Sequence, residues 1–210
     1  MDSTILSVIL GKWKVNTYLI QSGNDAWLID PSDDYPKLES ALLLGGANIL
    51  GIICTHGHFD HISNVATIQS KYQVPSYIHS GDLRLVRQVN LYRKLAGGTD
   101  FGEVPKIDFK LEEFSELPLG KDSIRVIPAP GHTKGSVVFA FGRSIFTGDL
   151  YYGRTIGRTD LPGGDTDLIR STAKFIFAEF EDYLVYPGHG DPFTLDSANI
   201  DLIVRSFDGG

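Results

Sequence analysis

The chain has 210 residues, 42% of them apolar and 21% charged, with a formal net charge of -7. That length builds one domain with a large core and is short for two enzymes, and the composition is that of a folded chain. The acidic balance argues against a protein that grips nucleic-acid phosphates, which takes a basic surface; Cys54 is the sole cysteine, so no internal disulfide forms, and no apolar run approaches the length of a membrane span, so a cytoplasmic protein is expected.

Residues 4–29 read as three short strands: Leu6, Val8 and Leu10 alternate with other residues, as do Val15, Thr17 and Leu19, and residues 26–29 run into the breaker Asp30-Pro31. The alternation, and acidic Asp2 where a secretory leader would be basic, mark this start as strand. Residues 36–44 predict an amphipathic helix stopped by Gly45-Gly46. Residues 49–54 are nearly all apolar, the pattern of a strand buried on both faces. That run ends in Thr55-His56-Gly57-His58-Phe59-Asp60-His61, and residues 62–72 turn helical.

A strand is predicted over 75–79, a helix over 82–95 with Leu83, Val86, Val89 and Leu95 on its apolar face, and a polar loop over 97–105. A second half then repeats the scheme, with strands at 107–109, 123–127, 137–141 and 144–146 and a glycine-rich loop over 151–165. A helix over 167–180, a strand over 183–186 and a final helix over 197–207 complete it. Strands and helices alternate without a charged or Ser-rich linker. The expectation is therefore one α/β domain over 1–210, with two sheets facing each other and helices outside.

Three of the six histidines, His56, His58 and His61, fall together with Asp60 among them. In extended chain, positions i and i+2 point the same way, so His56 and His58 can grip one ion together. The turn into a helix then carries Asp60 and His61 toward a second, adjacent ion. More ligands are needed to close the shells, and three strand ends offer them. These are His132 in Pro130-Gly131-His132-Thr133, Asp149 in Thr147-Gly148-Asp149 and His189 in Pro187-Gly188-His189-Gly190. Each sits beside a glycine that lets the backbone turn sharply. Imidazole and carboxylate without thiolate suit zinc, iron, manganese or cobalt. Seven ligands are too many for one tetrahedral ion and fit two ions sharing a bridge, with zinc the first expectation and iron or manganese the alternatives.

This pattern resembles the metallo-β-lactamase superfamily, from residue 4 to about His189. The resemblance implies an αβ/βα four-layer sandwich, two facing mixed sheets with helices outside and the metals at one edge. It implies that His56, His58 and His132 bind the first ion, Asp60, His61 and His189 the second, and that Asp149 bridges them. Gly157-Arg158-Thr159-Asp160 resembles a segment of the glyoxalase II-like hydrolases, which cleave glutathione thioesters such as S-lactoylglutathione. The likeness is to their short single-domain branch; the fuller enzymes add a helical region, whereas 21 residues follow His189 here, with Arg205 their one cation.

The chemistry expected of such a site is attack on a thioester carbonyl by a metal-bridging hydroxide, with Asp60 orienting the nucleophile. Two divalent ions, two aspartates and one hydroxide leave about +1, which favours a small anionic thioester. Tyr151, Arg154 and Arg158 are candidate substrate contacts; salt bridges to Asp160 or Asp165 are the other reading of the two arginines. Cys54 reads as a buried, inert thiol and His79 as structural or exposed. Two rival activities use the same residues. One is a persulfide dioxygenase with a single iron on His56, His132 and Asp149. The other is hydrolysis of lactones, β-lactams or phosphodiesters, although Asp149 stands where many of the family's β-lactamases place a cysteine ligand. The sequence leaves oligomeric state open.

Overall fold

The computed structural model describes residues 3–98, 102–152 and 155–197. Arg154 and the final helix expected over 197–207 lie outside these residues, apart from Ser197. The first sheet has the order β1 (Ser3–Leu10), β2 (Val15–Ser22), β3 (Asp25–Ile29), β4 (Asn48–Ile53), β5 (Ser76–Ile78) and β6 (Phe109–Lys110). Its first two pairings are antiparallel and the rest parallel. The second sheet has the order β14 (Phe193–Thr194), β13 (Leu184–Pro187), β10 (Ser144–Gly148), β9 (Val137–Phe141), β8 (Asp122–Pro128) and β7 (Glu116–Leu119). Only β10 and β13 pair in parallel there, so both sheets are mixed.

Strand periodicity sorts the side chains into layers. In β2 and β3, Leu19, Ala26 and Leu28 face one cluster, while Tyr18, Ile20, Trp27 and Ile29 face another. The first set packs under three helical segments: α1 (Tyr35–Gly45), the pair α2 (Phe59–Ile62) and α3 (Val65–Tyr72), and the pair α4 (Leu83–Arg87) and α5 (Val89–Leu95). The second set meets Ile124, Val137, Phe139 and Phe146 from the facing sheet. The outer face of that sheet, with Val138, Ala140 and Ile145, is covered by Ile169, Ala173, Ile176 and Phe180 of α6 (Thr166–Phe180). The result is helices, sheet, sheet, helix, the four-layer arrangement the resemblance implied. Among the described residues no helix is long and apolar enough to cross a membrane.

Local signals explain most boundaries. Asp34 caps α1, Pro36 sits in its first turn, and Gly46 ends it in the left-handed conformation. Asp165 accepts hydrogen bonds from the backbone N–H groups of Asp167 and Leu168 and so starts α6. Gly51 in β4 leaves room for the Trp27 indole, because a Cβ there would lie 2.6 Å from the ring.

Several expectations need correction. The helix predicted over 82–95 is broken at Gln88 into α4 and α5, and Leu95, expected on its apolar face, is 74% exposed. The helical stretch expected over 62–72 begins earlier, at Phe59 within the histidine cluster, and is broken at Ser63 and Asn64 into α2 and α3. The strand near residue 109 belongs to the first sheet, so the second sheet starts at β7, which the sequence reading passed over together with β14. The loop over 151–165 contains a small hairpin, β11 (Tyr151–Tyr152) with β12 (Thr155–Ile156).

Phe139 is fully buried between the sheets. Phe139→Ala is expected to lower stability by about 3–5 kcal/mol in urea unfolding with little change in m; a loss below about 1 kcal/mol would contradict this account of the core.

Candidate metal centre

The site lies along one edge of the sandwich, where strands of both sheets end. β4 runs into the segment bearing His56, His58, Asp60 and His61; β8 leads to His132, β10 to Asp149 and β13 to His189. Besides a group of Asp30, His56 and His61, the structure gathers two groups of three ligand atoms, each group within 4.8 Å: His56, His58 and His132, and Asp60, His61 and His189. Asp149 lies between them, with Oδ1 3.4 Å from His61 Nε2 and Oδ2 3.5 Å from His132 Nε2 and 3.6 Å from His189 Nε2. All seven residues expected as ligands are therefore in one place. Asp60 Oδ2 is 3.6 Å from His189 Nε2.

Hydrogen bonds behind the rings fix which nitrogen faces inward. His132 Nδ1 donates to the Arg158 carbonyl at 2.8 Å and His189 Nδ1 to the Trp13 carbonyl at 3.0 Å. His61 Nδ1 donates to Asp30 Oδ2 at 2.9 Å. Thr55 Oγ1 gives its proton to Asp30, which leaves it free to accept from His56 Nδ1 at 3.1 Å. In all four rings Nδ1 carries the outward proton, so Nε2 is the atom turned to the centre. His61 Nε2 and His189 Nε2 are 3.3 Å apart, and His132 Nε2 is 2.9 Å from His58 Nδ1. His56 Nε2 and Asp149 Oδ1 are buried without any hydrogen-bond partner.

Ring nitrogens and carboxylate oxygens this close, with His56 Nε2, His58 Nε2 and Asp149 Oδ1 buried and without a hydrogen-bond partner, fit a cation. Burial, and then the neighbouring imidazoles, push His56 well below the usual histidine range and His58 down to about 3, so both rings are neutral and able to ligate. Burial would raise the Asp149 and Asp60 carboxyls, yet His61 and the other rings around them hold Asp149 well below the ordinary carboxylate range and Asp60 below it. At His61 the balance reverses: against burial, Asp149, Asp60 and Asp30 raise it well above the usual value, the mark of a place that selects positive charge.

Sequence reading missed two buried carboxylates that hold this centre. Asp30, seen only as a breaker before Pro31, accepts from Thr55 N, Thr55 Oγ1 and His61 Nδ1. It also lies within reach of His56 and His61 as a third ligand-like group, but both its oxygens are engaged by these donors, so it orients ligands. Asp82 accepts from Gly57 N, Thr133 Oγ1 and Gly135 N, and thereby ties the segment of His56 and His58 to the segment of His132. Gly188 admits no side chain, since a Cβ would come within 2.2 Å of Asp149 Oδ1. Asn16 adds a cross-link between the halves by donating to the Pro187 and Gly190 carbonyls beside His189.

The candidate substrate contacts divide. Tyr151 is fully buried and its hydroxyl donates to the Ala173 carbonyl, so the expected substrate contact there is corrected: its neighbour Tyr152 lines the cleft above the centre. Arg158 also lines that cleft, with its guanidinium on Asp160. His79 accepts from Gly81 N in a turn, and Cys54 is buried, where burial first and Asp30 second raise its thiol.

A family model described as the metallo-beta-lactamase superfamily matches residues 10–189. The "Probable metallo-hydrolase YqgX" of Bacillus subtilis is 29% identical over 185 residues, covering 86% of this chain and 87% of its own. Among solved structures, the BLEG-1 B3 metallo-beta-lactamase is similar with a TM-score of 0.84 and 29% identity over 91% of this chain and 94% of that one. TTHA1623 in a di-iron-bound form is similar with a TM-score of 0.82 and 33% identity over 90% of this chain and 94% of that one.

Asp30→Asn removes acceptor capacity behind His61 and His56, and is expected to weaken metal binding by about 10–100-fold in chelator competition. Unchanged affinity would mean that Asp30 does not orient these rings.

Proposed function

Because the chain belongs to the metallo-beta-lactamase superfamily, we propose that it is a binuclear metal-dependent hydrolase of the glyoxalase II kind, cleaving the thioester of S-lactoylglutathione or a related acyl-thiol. The observation that carries this reading is the convergence of imidazole Nε2 atoms on the Asp149 carboxylate from both sides. In this proposal His56, His58 and His132 hold one ion, Asp60, His61 and His189 the other, and Asp149 reaches both. When bound, divalent ions supply Lewis acidity toward a carbonyl oxygen and lower the pKa of water. Zinc, iron and manganese suit the nitrogen and oxygen donors, and the di-iron form described for TTHA1623 sets iron beside zinc.

The residues of the chain prepare the rest. Asp60, held ionised by His61 and His189, opens onto the cleft and accepts a hydrogen bond from an attacking water, which it orients. The leaving thiol ionises near a pKa of about 8.5, so it departs without a strong general acid. A dioxygenase with one iron on His56, His132 and Asp149 would leave Asp60, His61 and His189 without a task, though they are as tightly gathered as the first group. β-Lactam hydrolysis is the second reading, favoured by the likeness to a protein described as a B3 metallo-beta-lactamase.

The test compares S-D-lactoylglutathione with a chromogenic cephalosporin on metal-loaded protein. Thioester cleavage is expected to be the faster reaction and to stop on chelation, and Asp149→Ala and His58→Ala are each expected to lower kcat/KM by about a hundredfold or more. Faster β-lactam turnover, or variants that keep both activity and metal, would overturn the reading.

A further inference from the structure

The cleft above the centre has a volume of about 770 Å3, within the range of small-molecule sites. Its floor is the metal centre and its walls are apolar. Trp13 comes from the turn between β1 and β2, Phe59 from α2, Leu85 from α4, Leu95 from α5, Tyr152 from β11 and Ile156 from β12. Segments far apart in sequence thus bring apolar groups to one space. Trp13, Leu95 and Tyr152 are 41%, 74% and 53% exposed, so water covers apolar surface that a ligand would bury. These walls adjoin the reacting centre: Tyr152 lies on His189 with ring centroids 5.3 Å apart, and Trp13 meets Phe59 edge to face at 5.9 Å. A group attached directly to the scissile carbonyl would touch them.

Charge is sparse in the walls. Among the described residues lining the cleft, Arg158 is the one arginine or lysine. Its Nε and Nη2 each donate to a different oxygen of Asp160 at 2.6 Å, which satisfies its charge within its own loop. Among the described residues lining the cleft, a tail with two carboxylates, such as that of glutathione, meets no cation other than this paired Arg158.

We propose that the cleft takes an uncharged apolar acyl group, so that among acyl-thiols this protein prefers aliphatic or aromatic thioesters to hydroxyacyl-glutathione. This rests on the thioesterase reading above and narrows it. Leu85, Leu95, Tyr152 and Ile156 are the specificity-determining contacts. The anionic substrate expected from the net charge of the centre is replaced by a carbonyl that the centre polarises and an apolar substituent that the walls cover.

The experiment measures kcat/KM for acetyl, butanoyl, hexanoyl and octanoyl thioesters of a neutral thiol, beside S-D-lactoylglutathione. The rate constant is expected to rise about fourfold per methylene until the cleft is filled, and to exceed that of the lactoyl substrate from hexanoyl onward. Leu95→Glu, at a solvent-accessible position compatible with folding, is expected to lower the octanoyl-to-acetyl ratio by about tenfold. A flat or falling series, or preference for S-D-lactoylglutathione, would overturn the proposal while leaving thioester hydrolysis in place. Calorimetric titration with butanoate, hexanoate, octanoate and decanoate reads the cleft independently of turnover. If no thioester is cleaved, the thioesterase reading fails by itself. Affinity that still rises with chain length would then uphold the apolar cleft, and affinity that does not would overturn it.

Discussion

Imidazole lone pairs and carboxylate oxygens repel one another, and a protein that gathers them in a buried space needs a cation between them. That constraint organises this molecule. His61 Nε2 and His189 Nε2 face each other at 3.3 Å, and Asp149 is within 3.6 Å of three rings. The cost of holding such a cluster without a cation is the cost of unmatched buried polar groups, on the order of 1–3 kcal/mol each. Ion binding removes that cost, so the folded state and the loaded state are linked.

The rest of the fold serves the cluster. The facing sheets place four strand ends along one edge, and the hydrogen bonds behind the rings cross between halves. Asp82 of the first half accepts from Thr133 and Gly135 of the second, Trp13 O accepts from His189, and Asn16 and the Tyr18 hydroxyl both donate to the Pro187 carbonyl. The inter-sheet core around Tyr18, Ile20, Phe139 and Phe146 fixes the distance across which these bonds reach. Positioning is therefore rigid where ligands are held, while the cleft walls, with exposed Leu95 and Tyr152, are free to meet a substrate.

Much of this was legible in the sequence because its carriers are local. Apolar alternation located β1 and β2, a continuous apolar run located β4, and the spacing of His56, His58, Asp60 and His61 marked a metal segment by itself. What escaped depends on partners distant in the chain. Asp30 acts on residues 25 and 31 positions away, and Asp82 on residues up to 53 away. Neither leaves a periodic trace. β7 and β14 are short, and β7 carries Pro118, so neither showed a strand pattern. Tyr151 and Tyr152 are adjacent in a strand and must point to opposite faces. The sequence marked Tyr151, but the packing of Tyr151 against α6 tells that Tyr152 is the one turned to the cleft.

The most direct test of the central claim is elemental analysis of purified protein for divalent metals. This account predicts about two ions per chain, falling to about one in His189→Ala, where one set of ligands is left intact. A single ion per chain in protein at full hydrolytic activity would contradict it.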